Sequence, residues 1–311
     1  TSRLQVEWAL GIAADPAVLA LIDELPRDRR QPSLVFSAAA FCGAEVAGYA
    51  QFRVWLIEHW PTVAAVARTR RTQTNEAGRC VPLLAALDRI PGPIALLELG
   101  AAAGLCLLPD RYSYRFDDLP VLGTGSPLLS CRTSGEGTPP VSLPDIVWRR
   151  GIDLAPLSVD DADDRRWLEA LLPLDRPDRR ERLRDALDAA RGEPPRVVAG
   201  DLLDELEPCA AEAPRDATLV VATLGTLVYL HAERRSEVLP AIRRLGARAV
   251  TFEGAAALPD VTARLHGLAA PEPTSFLLAL DGEPLAYGSA HGDRLSWLSP
   301  AGRAGSEPPG T

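Results

Sequence analysis

The chain contains no lysine and no methionine, so all 33 of its basic residues are arginine. With alanine, proline and aspartate also abundant, this reflects genomic base composition and carries no chemistry. Because Thr1 stands first with no initiator methionine, removal of a few residues by processing or trimming is expected. Cysteine is sparse and scattered: Cys42, Cys80, Cys106, Cys131 and Cys209, with no two at CxxC spacing. That argues against a disulfide framework or a zinc ribbon and suits a reducing cytoplasm. The four histidines, His59, His231, His266 and His291, form no HxxxH or HExxH pattern, so no metal is expected. No apolar run reaches the ~18 residues of a membrane helix, and no secretory signal stands out. Positive charge is in deficit, 33 basic against 42 acidic residues for a net −9. Such a balance disfavours a nucleic-acid partner.

What the chain does have is length and apolar content. Its 311 residues, 47% hydrophobic, suffice for one large domain or a core with a helical extension. Residues 1–90 read as a helical cap. Asp15-Pro16 is an N-cap followed by proline at the first helical position, and Pro32 and Pro61 mark two further helix starts. Phe36, Phe41, Tyr49, Phe52, Trp55 and Trp60 supply most of the aromatic bulk of a helical packing layer.

From residue 94 the pattern changes. Short apolar runs at 94–99, 145–150, 196–200, 218–223, 248–253, 275–280 and 284–289 alternate with helical stretches at 162–172, 178–191, 232–245 and 259–268. Continuous apolar runs of this length fit strands buried on both faces, hence a parallel sheet with covering helices. Asp281-Gly282 is a hairpin signal, so the sheet is expected to finish with an antiparallel pair. The fold class is therefore α/β: residues 91–300 form a Rossmann-like domain with a mostly parallel seven-stranded sheet. Residues 111–144 read as an insertion with a small β-hairpin, and 301–311 as a disordered tail.

The stretch LLELGAAAGLCLLPDRY (96–112) places Glu98 at the end of the first strand, two residues before Gly100. Ligands of a parallel α/β sheet bind outside the carboxyl ends of its strands. Small residues there let a nucleotide approach the backbone, with a helix N-terminus expected behind them. Gly100 and Gly104 meet that demand and Ala102 partly does. A dinucleotide site wants its acid at the second strand, and a pyrophosphate is repelled by a carboxylate at the first. A cationic cofactor such as S-adenosylmethionine is attracted by it.

Glu98-Leu99-Gly100-Ala101-Ala102-Ala103-Gly104 resembles the first motif of class I S-adenosylmethionine-dependent methyltransferases, with Ala102 replacing the middle glycine. That resemblance implies that Asp153, in RGIDLAP, holds the ribose hydroxyls, and that Asp201-Leu202, in GDLLD, meets the adenine edge. Capping of a following helix is the competing role for both aspartates. RTRRTQTNEAGRC (68–80), VWRRGIDLAPLSVDDADDRRWLEALL (147–172) and VVAGDLLDEL (197–206) together resemble an actinobacterial family of unknown function, DUF2332. The resemblance implies a fold and a cofactor, and no substrate.

Arg71 is a candidate clamp for the methionine carboxylate, with Gln73 beside it as a ligand contact. Thr74 and Asn75 suit capping of the next helix. Arg111 and Tyr112, at the end of the expected first helix, are candidates to line the substrate mouth. Thr223, Tyr229, His231 and Glu253, after the fourth and fifth strands, are candidates for catalysis. The expected function is methyl transfer to a small-molecule acceptor in the cytoplasm. Retention of the fold for binding or assembly, and non-methylating chemistry on the same cofactor, are alternatives. A nicotinamide oxidoreductase stands further off, and a homodimer is compatible with the sequence.

Overall fold

The computed structural model of the chain describes residues 2–73, 75–265 and 270–299. It divides into two compact units, Thr1–Thr74 with Leu157–Leu187, and Asn75–Pro156 with Asp188–Thr311. The division falls near residue 75, so the helix that leads into the first strand belongs with the sheet. The residues expected to form a tail, 301–311, lie outside the described ones.

The first unit is helical. It holds α1 (Arg3–Ala13), α2 (Pro16–Ile22), α3 (Pro32–Phe41) and α4 (Tyr49–Thr69). Asp15 caps α2 as expected, accepting the N–H groups of Ala17 and Val18, with Pro16 at the first turn. Pro61 starts no helix; it lies inside the 21-residue α4. The aromatic side chains form the core. Trp8 stacks on Phe52 with ring centroids 3.7 Å apart, Phe36 meets Trp8 edge-on, and the Trp8 indole donates to the Ala47 carbonyl.

The second unit opens with α5 (Cys80–Leu87), buried on every side, and β1 (Ile94–Leu99), all six residues of which are buried. β2 (Ser113–Phe116), β3 (Leu128–Ser134) and β4 (Ile146–Asp153) follow. The chain then returns to the first unit with α6 (Ala162–Ala170) and most of α7 (Pro177–Arg191), where Leu183, Ala186, Leu187 and Ala190 are buried among charged neighbours. β5 (Val197–Ala199), α8 (Leu206–Ala210), β6 (Thr218–Leu224) and α9 (Ala232–Arg244) come next. β7 (Arg248–Gly254), α10 (Pro259–Ala263), β8 (Phe276–Leu280), β9 (Glu283–Gly288) and β10 (Arg294–Trp297) complete the order. Residues 266–269, expected to continue α10, lie outside the described ones.

The strands make one mostly parallel ten-stranded sheet, in the order β2-β3-β10-β9-β8-β7-β6-β1-β4-β5. Asp281 and Gly282, both at positive φ, turn β8 into β9, and the two strands pair antiparallel. The sheet does not finish there, because β10 pairs antiparallel with β9 and parallel with β3. Within the insertion β2 and β3 pair parallel, and the chain turns back on itself through a single antiparallel bridge, Tyr114 to Leu122. Hairpins close over two to five residues, whereas the long connection from Phe116 to Leu128 brings the chain back to run β3 alongside β2.

A second departure matters more for the site. No α-helix follows β1. The chain makes a single 3-10 turn, Leu105–Leu107. Side chains take up the carbonyls that a helix would have used. The Tyr112 hydroxyl donates to the Leu105 carbonyl at 2.8 Å, the Tyr114 hydroxyl to Pro109 at 2.6 Å, and the Arg149 guanidinium to Leu107 at 2.8 Å. Asp110 then pairs with Arg149 through both carboxylate oxygens. Among the described residues, no single helix is long and apolar enough to cross a membrane.

Candidate functional site

The parallel strands β5, β4, β1, β6 and β7 end side by side. The Gly200 amide reaches the Asp153 carbonyl at 3.0 Å, the Gly100 amide reaches Ile152 at 2.7 Å, and the Gly225 amide reaches Phe252 at 2.9 Å. From β1 the chain goes to β4 and β5 on one side and then to β6 and β7 on the other. The space beyond β1 and β6 is thus a topological switch point, where open α/β sheets take their ligands.

Glu98 stands one residue from the end of β1, between Gly151 of β4 and Ala222 of β6. It is 3% exposed, and its Oε2 has no hydrogen-bond partner among the described residues. Burial pushes its carboxyl well above the usual range. Cys106 adds to the rise, the Arg79 guanidinium opposes it, and Asp153 adds a little more.

The turn after β1 is built by left-handed backbone at Gly100, Ala102 and Gly104, with φ of 78°, 50° and 74°. Each glycine also makes room for protein. A Cβ on Gly100 would lie 2.2 Å from the Thr226 side chain, and one on Gly104 would lie 2.5 Å from Pro195. The expected helix N-terminus behind this turn is absent, so no row of free helical N–H groups points out from it.

Asp153 is half-buried and braces the turn. Its Oδ2 accepts the Ala102 amide and its Oδ1 the Ala155 amide, both at 2.9 Å. Its capping is of loop backbone, and no helix starts on it. Asp201 behaves similarly one strand over, accepting the Leu203 amide and an N–H of Arg234. Leu202 packs half-buried against the core beneath α9.

Glu253, expected as a catalytic group, serves the loop after β6. Glu253 is 1% exposed, and its carboxylate accepts the amides of Gly225, Thr226 and Leu227 at 3.0–3.2 Å. Burial raises its carboxyl above the usual range, while those amides, the adjacent Thr223 hydroxyl and Arg79 pull it back. A carboxylate held this way is a structural acceptor. Thr223 is wholly buried within β6. Tyr229 and His231, further along the same loop, are exposed, and His231 precedes α9 without a side-chain capping bond.

Arg111 is ion-paired with Glu193, and Tyr112 is fully buried with its hydroxyl on Leu105, so Tyr112 lines no mouth. Arg71 and Gln73 belong to the helical unit, where the Arg71 carbonyl accepts the Trp167 indole N–H. Thr74 lies outside the described residues. Asn75 caps no helix; its Oδ1 accepts the Leu105 amide at 2.9 Å.

Arg79 is the residue that sequence reasoning passed over. It donates to the carbonyls of Leu224 and Ala290, and its guanidinium lies 5.6 Å from the centre of the Phe276 ring. A Cβ on Gly225 would lie 2.6 Å from it. It is the cation that acts on both Glu98 and Glu253. It ends the polar run that begins at Arg68, and nothing in that run distinguishes it from its three arginine neighbours.

One comparison with known proteins is decisive. A family model described as "Uncharacterized protein conserved in bacteria (DUF2332)" matches residues 1–297. The chain belongs to the DUF2332 family. No curated protein and no solved structure matches it. Membership of DUF2332 agrees with the motifs noted above and assigns no activity.

Proposed function

We propose that this DUF2332 protein binds S-adenosylmethionine beyond β1, β4 and β5 and methylates a small-molecule acceptor. The observation that carries the proposal is the Glu98 carboxyl. It is buried beside a topological switch point, with one oxygen lacking a hydrogen-bond partner among the described residues. A buried carboxyl of this kind is costly unless a donor or a cation meets it. The ammonium group of the cofactor supplies both.

The neighbouring strand ends fit the rest of a nucleoside. Asp153 stands at the end of β4 beside that turn, where a carboxylate suits ribose hydroxyls. Leu154, next in sequence and 68% exposed, offers an apolar face to a base. Asp201 stands one strand further out. Bound there, S-adenosylmethionine would supply an electrophilic methyl group. Glu253 would fix the loop that carries Tyr229 and His231, two exposed polar side chains able to meet an acceptor.

The test is calorimetric titration with S-adenosylmethionine and S-adenosylhomocysteine in two buffers of different ionisation enthalpy. Binding should release a proton as Glu98 ionises against the ligand. Glu98→Gln should weaken binding and abolish the proton release, and Leu154→Asp should weaken binding alone. Absence of binding by both ligands refutes the proposal. A second reading, a non-catalytic domain that keeps the fold, draws support from the carboxylates of Asp153 and Glu253 being spent on backbone amides. It would be indicated by tight binding with no S-adenosylhomocysteine formed when metabolite extracts are supplied.

A further inference from the structure

The helical unit contains a cavity of about 540 Å³ between α3, α4, α6 and α7, within the range that receives small organic ligands. Its lining is divided by chemistry. Phe41 and Val66 are apolar, while Arg166 and Arg180 face a single acid, Glu169. The two cations are under-used. The Arg166 guanidinium lies 4.0 Å from the centre of the Phe41 ring, and the nearest carboxylate oxygen, on Asp163, is a further 4.0 Å contact at the limit of an ion pair.

Arg180 is more telling. Its Nε is buried and has no hydrogen-bond partner among the described residues. Glu169 approaches it only to 3.7 Å, because the same carboxylate oxygen already accepts two N–H groups of Arg184 at 3.0 and 2.7 Å. A buried guanidinium N–H without an acceptor is costly, and a carboxylate or sulfonate oxygen satisfies it in the fork geometry that arginine favours. The stacked Arg166 and Phe41 pair presents a second cation beside an apolar wall.

We infer that this cavity is a binding site for a small organic monoanion with an apolar body, its charge held by Arg166 and Arg180 and its body against Phe41 and Val66. With Glu169 held by Arg184 and Asp163 near Arg166, three arginines meet two acids, and that surplus of one sets the preferred ligand charge at minus one. This site is independent of the cofactor reading, as every residue in it belongs to the helical unit.

Cys42 lines the same cavity and is half-buried, whereas the other four cysteines are buried. Its alkylation therefore reports occupancy. The full-length protein is treated with iodoacetamide, and modification of Cys42 is followed by peptide mass with phenylacetate, phenylacetamide or sulfate present. Affinity is measured in parallel by calorimetry. Phenylacetate should bind and slow Cys42 alkylation, while the neutral amide and the bare anion should each bind about tenfold more weakly or worse. Arg166→Ala, at a residue exposed enough to leave the fold intact, should weaken phenylacetate by about tenfold. Glu169→Gln should tighten it by removing the competing carboxylate. Equal protection by phenylacetamide would show a merely apolar hole, and equal protection by sulfate a merely electrostatic one. Either result, or no phenylacetate binding at millimolar concentration, overturns the inference.

Discussion

The Asp153 carboxylate accepts the Ala102 amide at 2.9 Å, tying the end of β4 to a left-handed alanine in the turn after β1. Alanine at positive φ is disfavoured by about 1–2 kcal/mol, so it persists only where its surroundings hold it. Asp153→Ala should remove two charge-assisted acceptors and cost about 3 kcal/mol in urea unfolding. Asp153→Asn, which keeps one oxygen, should cost about half as much. If Asp153→Ala unfolds like the parent, the carboxylate is not what holds the turn.

Gly151 and Ala101 pack against each other so closely that a Cβ on Gly151 would lie 2.6 Å from the Ala101 Cβ. Gly151→Ala is expected to destabilise the protein by about 2 kcal/mol through overpacking. The double variant Gly151→Ala with Ala101→Gly should recover most of that loss. A thermodynamic cycle with no coupling between the two positions would contradict the contact.

Glu98 gives a pH signature. Its folded-state carboxyl titrates above the ordinary glutamate range, so between the two values the folded protein binds more protons than the unfolded chain. Its contribution is fully present below the unfolded value and is lost as pH rises through the folded one. Glu98→Gln should therefore match the parent in acid and exceed it at higher pH, the gap widening by at most about 1.4 kcal/mol per pH unit. Melting temperatures of both proteins from pH 4 upwards check this. A gap that widens towards acid would reverse the assignment.

Arg79 satisfies two carbonyls and compensates two buried acids. Arg79→Ala should cost about 3 kcal/mol, because it leaves Glu98 and Glu253 without their cation. Arg79→Lys should restore only part of this, since an ammonium cannot reproduce the two-carbonyl fork together with the Phe276 ring contact. Denaturant titrations of the two variants distinguish charge from geometry.

How much of this was legible beforehand depends on how local each signal was. Seven of the strands announced themselves as short, mainly apolar runs bounded by turns, and Asp15-Pro16 announced α2, because both signals lie within one segment. β10 and the parallel pairing of β2 with β3 did not. β2, with four residues, and β10, with four, depend on each other's neighbours through β3. LCLL after Gly104 looks like a helix start. It becomes only a 3-10 turn, and two of its carbonyls, Leu105 and Leu107, are taken by Tyr112 and by Arg149 of β4, residues further along the chain. At the candidate site the acids at the strand ends were found, but their partners were not. The amide donors of Asp153 and Glu253 and the reach of Arg79 are long-range facts that no short motif encodes.

The placement of β10 bears on how the chain is made. Residues 294–297 leave the ribosome after every other strand, yet they fill the gap between β9 and β3. Until they arrive, the nascent sheet presents two unpaired edges, and the strands of the insertion have nothing to join. Closure of the sheet therefore waits on the last of its described strands, and the interval before it is when the chain is most exposed to edge-to-edge association.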